Sequence, residues 1–235
     1  MTQRRTYEWP RPAVTVDIAV FTVAGTLQGL RLQVLLIQRN QGPFRGHWAL
    51  PGGFVHENED LLDAAKRELA EETGLRDVYL EQVQTVGMPG RDPRGHVVTV
   101  VHVALVAADR HQLAATGDAR AARWFDVSAL PPLAFDHGQL LQLTLKHLRR
   151  RLGETPACFE LLPAQFTLSE LQSLCETILD RPLDRRNFRR KVQELKILAP
   201  VRGTRREGAH RPARLYRFVP QAFRGYASRR QALPF

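Results

Sequence analysis

The stretch KRELAEETGL, residues 66–75, sets Glu68, Glu71 and Glu72 within five positions beside Arg67 and ends with Gly74 and Leu75. In a helix, residues three and four apart share a face, so these three carboxylates project within an arc of about 100°. Arg67, four residues before Glu71, offsets only part of their mutual repulsion. A solvated helix face is one reading of such a cluster, and a site that holds a cation is the other. Hard oxygen ligands in this number suit Mg²⁺ or Mn²⁺, and an all-oxygen, water-retaining site favours phosphate chemistry over zinc hydrolysis.

Outward from this stretch, the helical pattern extends from about Glu59 to Thr73, with Leu62, Ala65 and Leu69 on one stripe and Gly74 as its stop. Upstream, AVTVDIAVFTV (13–23) and RLQVLLIQR (31–39) read as a β-hairpin, followed by the Gly/Pro-rich loop NQGPFRGHWALPGGFV (40–55). Downstream, VYLEQVQTVG, HVVTVVHVALVA and ARWFDV read as strands, and a second helix from about Gln139 to Arg150 closes the unit. This is a strand-rich α+β domain over residues 1–152, with a mixed sheet and flanking helices. The pattern lapses around RLGETPACFELLP (151–163), which places a linker at 153–165 and a smaller helical unit with a β-like tail at 166–235.

With 235 residues, 43% of them hydrophobic, the chain has material for two cores. No apolar run approaches a membrane span, and the first residues, MTQRRTYEWPRP, lack the apolar segment of a secretory signal. A soluble cytoplasmic protein with no membrane partner is expected. Cys158 and Cys175 have no metal-ligand spacing and read as buried thiols. The net charge of +10 is unevenly spread: residues 1–150 hold 17 Lys+Arg against 16 Asp+Glu, and residues 151–235 hold 17 against 8. Such asymmetry points the C-terminal part toward a polyanion.

Gly53, Glu59 six residues later, then Arg67-Glu68-Leu69, Glu71-Glu72 and Gly74-Leu75 fill every fixed position of one spacing. That spacing resembles the signature of the Nudix hydrolases: G, five residues, E, seven residues, R-E-apolar-x-E-E-x-G-apolar. The resemblance implies an α/β/α sandwich in which divalent ions, bound here by Glu68, Glu71 and Glu72, bridge a diphosphate attacked by water. By the same match Gly53 shapes the loop, Glu59 sits at the helix start and Arg67 orients a carboxylate. The general base stays unassigned. MPGRDPRGHVVTV (88–100) and FDH (135–137) resemble stretches of ADP-ribose pyrophosphatases and their regulatory relatives, which implies ADP-ribose or a related nucleotide diphosphate as ligand. Arg91 and Arg94 offer guanidinium forks to phosphate, or brace their loop through Asp92. Arg39 is a further phosphate candidate. His137 is expected to bind ligand or to cap and pack, and Trp48 to lie in the core rather than to stack on adenine.

In the C-terminal unit, FTLSELQSLCETIL (166–179) begins with a capping box, Thr167 and Glu170, and carries Leu168, Leu171 and Ile178 at helical spacing. RRNFRRKVQEL (185–195) follows DRPLD, with Asp184 as N-cap and Phe188, Val192 and Leu195 on one face. Arg186, Arg189, Arg190 and Gln193 fall on the opposite face. Two helices joined by a tight turn make a helix-turn-helix whose second helix suits a major groove. The tail APVRGTRREGAHRPARLYRF (199–218) reads as strand, arginine-rich loop and strand, a wing in which Arg202, Arg205, Arg206, Arg211 and Arg214 would follow phosphates. Together the halves resemble the Nudix-related transcriptional regulators of NAD metabolism, which implies operator DNA as partner and a homodimer. Many regulators of that group have degraded Nudix motifs; the intact motif here favours retained hydrolysis of ADP-ribose to AMP and ribose 5-phosphate.

Overall fold

A computed structural model of the chain describes residues 8–25, 29–107, 119–152, 154–205 and 212–227. The hairpin expected from the sequence is present as β1 (Ala13–Ala24) and β2 (Arg31–Arg39), paired antiparallel with Phe21 opposite Val34. The Gly/Pro-rich loop is more ordered than its composition indicates, because β3 (Trp48–Ala49) pairs β2 and β4 (Gly52–Phe54) pairs β1. After α1 (Leu61–Thr73) come β5 (Tyr79–Val86), β6 (Val97–Leu105) and β7 (Ala119–Asp126). The sheet runs β3-β2-β1-β6-β5, with β4 also on β1 and β7 also on β2. Among these strand pairings only β1–β6 is parallel, so the sheet is mixed.

Alternation along β1 divides the core. Val16, Ile18 and Val20 pack with Ala64, Ala65 and Leu69 of α1, while Ala19, Phe21 and Val23 belong to the cluster that contains Leu140, Leu141 and Leu145 of α2 (His137–Leu152). A period of two sends successive side chains to opposite faces, so one buried strand serves two helix layers. The result is the α/β/α sandwich.

Helix α1 begins at Leu61 behind an N-cap, Asp60, whose side chain accepts from the Leu62 amide, so Glu59 stands outside the helix. Gly74 ends it in the left-handed conformation, φ 75°. Of the expected stripe Ala65 and Leu69 are buried, whereas Leu62 is exposed; the buried face also takes in Ala64, Glu72 and Thr73. Helix α2 starts two residues earlier than expected, at His137.

Residues 153–165, read as a linker, carry a 3-10 helix, Pro156–Leu161, whose Ala157, Cys158, Phe159 and Leu161 are buried. Sequence periodicity misses it because a six-residue 3-10 turn has no amphipathic repeat to detect. Phe159 stacks on Phe218 at 4.2 Å, and one apolar cluster runs from the sheet through Phe159 and Phe166 to Leu171, Cys175 and Phe188. The two units therefore share a core. Truncating Phe159 would remove roughly 3–5 kcal/mol of packing at this joint. Both cysteines are buried in it, and burial pushes the Cys158 thiol up to about 12, which leaves it unreactive.

The C-terminal unit holds α3 (Leu168–Leu179), α4 (Arg185–Glu194) and a three-stranded sheet in which β10 (Ala213–Phe218) lies between β8 (Phe166–Thr167) and β9 (Leu198–Arg205). The capping box forms at both ends, with Thr167 Oγ accepting from the Glu170 amide and Glu170 accepting from the Thr167 amide. This is a winged helix. A further helix, α5 (Pro220–Ala227), has no counterpart in the sequence reading. No helix of the described residues is long and apolar enough to cross a membrane.

Candidate functional site

The opening stretch turns Glu72 and, in part, Glu68 against the glycine strand, whereas Glu71 is exposed. Glu72 lies near the centre of the buried face of α1 and is only 7% exposed. Its Oε2 accepts from the Gly52 amide at 2.8 Å, which ties the helix to the glycine loop. Burial, and secondarily the neighbouring Glu68 charge, pushes the Glu72 carboxyl up to about 8, and burial also raises Glu68. A solvated face would show neither.

The two glycines are there for close approach. A Cβ on Gly52 would collide with the Val16 carbonyl, and a Cβ on Gly53 would collide with the Glu68 carboxylate. Gly53 thus does more than shape a turn: it lets β4 lie directly against the acidic face.

Arg67, expected to orient one carboxylate, engages three. Its Nε and Nη2 donate to Glu59 at 2.6 and 2.9 Å, Nη1 donates to Glu68 at 2.7 Å and to Glu71 at 3.3 Å, and Nη2 reaches the Phe54 carbonyl at 3.0 Å. The hydrogen bonds from Arg67 hold the Glu59 carboxyl down at about 2. Among the described residues no group of three His, Cys, Asp or Glu side chains forms a ready-made metal cage. Mg²⁺ retains waters and is commonly held by one or two carboxylates plus substrate phosphate, so an all-oxygen wall containing the desolvated Glu72 fits such an ion without a closed cage.

A cleft of about 430 Å³ unites Glu68, Glu71 and Glu72 with Arg39, Arg67 and Arg94. Arg39 donates to the Pro43 carbonyl at 2.9 Å, and among the described residues no carboxylate forms an ion pair with it. Burial and the Arg94 charge lower its pKa. Arg94 forks onto Asp92, with Nη2 to Oδ2 at 2.6 Å, while remaining on the cleft.

Arg91 and His137 depart from the expectation of ligand contact. The Arg91 side chain is 4% exposed, with Nε and Nη2 donating to Asp136 at 2.9 and 2.7 Å and Nη2 lying 3.4 Å from Asp17. It braces the loop, but through Asp136 and Asp17; Asp92 is the partner of Arg94. His137 is buried, its Nδ1 accepting from the Leu50 amide at 2.9 Å and its Nε2 lying 3.4 Å from Asp17. Burial lowers its pKa, as suits a ring holding the loop from behind. Trp48 packs edge-on against Phe125, centroids 4.7 Å apart. Sequence reasoning missed Phe54 and Phe135, which pack against Arg94 and Arg39; the signal for Phe135 is the FDH stretch itself, where it stands two residues before the histidine.

On the winged helix, Arg186, Arg190 and Gln193 of α4 are exposed, as are Arg202 and Arg214 of the wing strands. Arg189 is not on that open face: it is half-buried and its Nη2 donates to Ser169 Oγ at 3.0 Å, fastening α4 to α3. At about 100° per residue it turns toward Phe188, on the inner side. Arg205 is likewise committed, to Glu170 of the capping box and to the Gln165 carbonyl. Arg206 and Arg211 lie outside the described residues.

Two known domain families match the chain. Residues 12–144 match the NUDIX domain family, and residues 158–218 match the NrtR DNA-binding winged helix domain. The chain is 39% identical over 227 residues to the ADPR responsive transcriptional repressor NtrR of Acinetobacter baylyi, covering 95% of this chain and 88% of that protein. An ADP-ribose pyrophosphatase of Methanocaldococcus jannaschii is 43% identical over 110 residues, 47% of this chain and 64% of that protein. Among solved structures, Shewanella oneidensis NrtR complexed with a 27mer DNA has a TM-score of 0.78 at 36% identity, covering 94% of this chain and 97% of that one. Relatives of both kinds of domain in one chain span nearly the whole length, and the protein belongs to the Nudix family, in the group whose Nudix domain is joined to an NrtR-type DNA-binding winged helix.

Proposed function

We propose that the protein is an ADP-ribose-responsive transcriptional regulator that also hydrolyses its ligand. The observation that carries this reading is the pairing, in one chain, of a cleft with three glutamates and three arginines and an exposed arginine face on the winged helix. The relatives named for ADP-ribose and for DNA support it. Arg39 and Arg94 bind the diphosphate, and Arg67 holds the glutamates against repulsion until ligand arrives. A divalent ion, Mg²⁺ or Mn²⁺, held by Glu72 with Glu68 or Glu71, would orient the attacking water and stabilise charge on the leaving phosphate. One P–O bond of the diphosphate breaks, giving AMP and ribose 5-phosphate. Arg186, Arg190, Gln193, Arg202 and Arg214 bind operator DNA, and a homodimer would match a palindromic site.

The domains, with Nudix residues 1–152, joint 153–165 and winged helix 166–235, communicate through α2. Its first residue is His137, beside the Arg91–Asp136 clamp, and near its other end Arg149 donates to the Ile178 carbonyl of α3 at 2.9 Å. By linkage, a ligand that weakens operator binding must itself bind more weakly to the DNA-bound protein.

A second reading, a repressor that senses ADP-ribose with negligible turnover, is favoured by the engagement of Glu68 and Glu71 with Arg67. Incubation with ADP-ribose and Mg²⁺, with AMP release followed beside a Glu72→Gln control, separates them. Release that the control loses supports the enzyme. Binding without release supports the sensor.

A further inference from the structure

Besides its glutamates the cleft carries Arg39, Arg94 and Phe54, and Phe135 packs on the two arginines from outside its lining. Arg94 lies over Phe54 at 4.8 Å and over Phe135 at 5.5 Å, and Arg39 lies over Phe135 at 4.8 Å. Phe135 also meets the edge of Phe44, centroids 4.8 Å apart, and sits at φ 52°. A non-glycine residue in the left-handed region is strained and persists only where its surroundings hold it. Here two cations and a second ring do so.

Phe54 has a different position. It is the only phenyl ring among the described residues lining the cleft, where charged side chains and glycines predominate, and it is 39% exposed. Strand β4 fixes it from both sides: Phe54 pairs with Thr15 of β1, and its carbonyl accepts from Arg67. Asp92 holds the guanidinium that covers the ring. A rigid, half-exposed phenyl ring backed by a fixed guanidinium, in a cleft that otherwise binds charge, is a stacking surface for a flat partner.

We propose that Phe54, with the Arg94 guanidinium stacked on it, is the platform that selects ligands carrying an aromatic base beside their diphosphate. It rests on the reading that the cleft takes a nucleotide diphosphate. Recognition by stacking is tolerant of base identity, because every base has a π-face. The cleft therefore distinguishes base-bearing from base-free diphosphates more sharply than one purine from another.

The test uses the full chain in chelator, where metal-dependent turnover is absent, and follows the fluorescence of the etheno-adenine analogue of ADP-ribose, which a stacked base loses. Wild type and Phe54→Tyr are expected to quench the base, whereas Phe54→Leu weakens binding roughly ten-fold and leaves the bound base bright at saturation. The platform is overturned if Phe54→Leu matches wild type in affinity and quenching, or if it binds more weakly yet quenches fully, the result of a merely structural ring. Calorimetry with ADP-ribose separates the two readings. Wild-type binding without quenching removes the platform and keeps ADP-ribose as ligand. Absence of ADP-ribose binding, with Phe54-dependent quenching by the etheno analogue of another dinucleotide such as NAD, removes ADP-ribose and keeps the platform. Absence of binding by every base-bearing ligand removes both.

Discussion

In the cleft, Arg67 touches Glu59, Glu68 and Glu71, and outside the cleft lining Arg91 is held between Asp136 and Asp17. On α4, Arg186 projects into solvent, and Arg190 meets Glu194 at 3.0 Å where both side chains remain about 60% exposed. The same residue types do opposite work. Buried charges must be paired, so the cleft's network is specific and costly to alter, whereas exposed pairs are worth little and leave their arginines available to a polyanion. The difference teaches that a count of charges locates a partner, but burial decides which arginines are committed to the fold.

The sharpest test of this contrast is Glu72→Gln. Glutamine still accepts from the Gly52 amide, so the fold should persist. AMP release should fall by more than the roughly 10- to 100-fold that losing a residue which merely orients a ligand costs. Operator affinity without ligand should be unchanged in a mobility-shift titration; a parallel loss of DNA binding would break the division of labour.

Next in size is the double substitution Arg186→Ala and Arg190→Ala. Operator affinity should fall about ten-fold or more, and the slope of log affinity against log salt should shrink by about 1 for each phosphate that is no longer neutralised. ADP-ribose affinity should not move. Arg189→Ala, in contrast, should lower the melting temperature, since it removes the bond to Ser169.

An effect of about the same size per unit concerns pH. The folded-state pKa of Glu72, about 8, lies above its ordinary carboxylate value. In metal-free protein this group therefore contributes stability present below the ordinary value and lost as pH rises through about 8. A cation reverses the sign by favouring the charged form, so apparent Mg²⁺ affinity should rise as pH climbs toward 8, roughly ten-fold per unit below it. Calorimetry at pH 6, 7 and 8 in buffers of different ionisation enthalpy would detect the released proton; a flat profile would show that Glu72 does not bind the ion.

The smallest expected effect is on communication. Arg149→Ala should leave both binding affinities nearly intact and reduce the ligand's effect on operator binding a few-fold, within the roughly 0.5–2 kcal/mol by which linking residues change coupling. Unchanged coupling would put the connection elsewhere in the shared core.

Much of the fold was legible in the sequence because it rests on local rules. The β-rich runs 13–23 and 31–39 around a glycine-containing turn indicated the hairpin, Gly74 the end of α1, and Thr167 with Glu170 the start of α3. The joint was not legible, because Phe159 is recognisable as core only once Phe218, far along the chain, stacks on it. In the cleft, the spacing grouped Glu68, Glu71 and Glu72 on one helix arc, but Arg91 could not be told from Arg94. They are three residues apart in one loop, and what separates them is Asp136, 45 residues away.

What the sequence determined by itself was the set of groups that a fixed rotation per residue, or a fixed alternation, brings to one face: the acidic arc of α1, the two faces of β1 and the arginine side of α4. Only the tertiary structure decided which face is buried and which arginine meets which carboxylate. Pairings such as Arg91 with Asp136 or Arg205 with Glu170 depend on where distant segments come to rest, and it is burial there that turns a charge into a brace or leaves it free to bind.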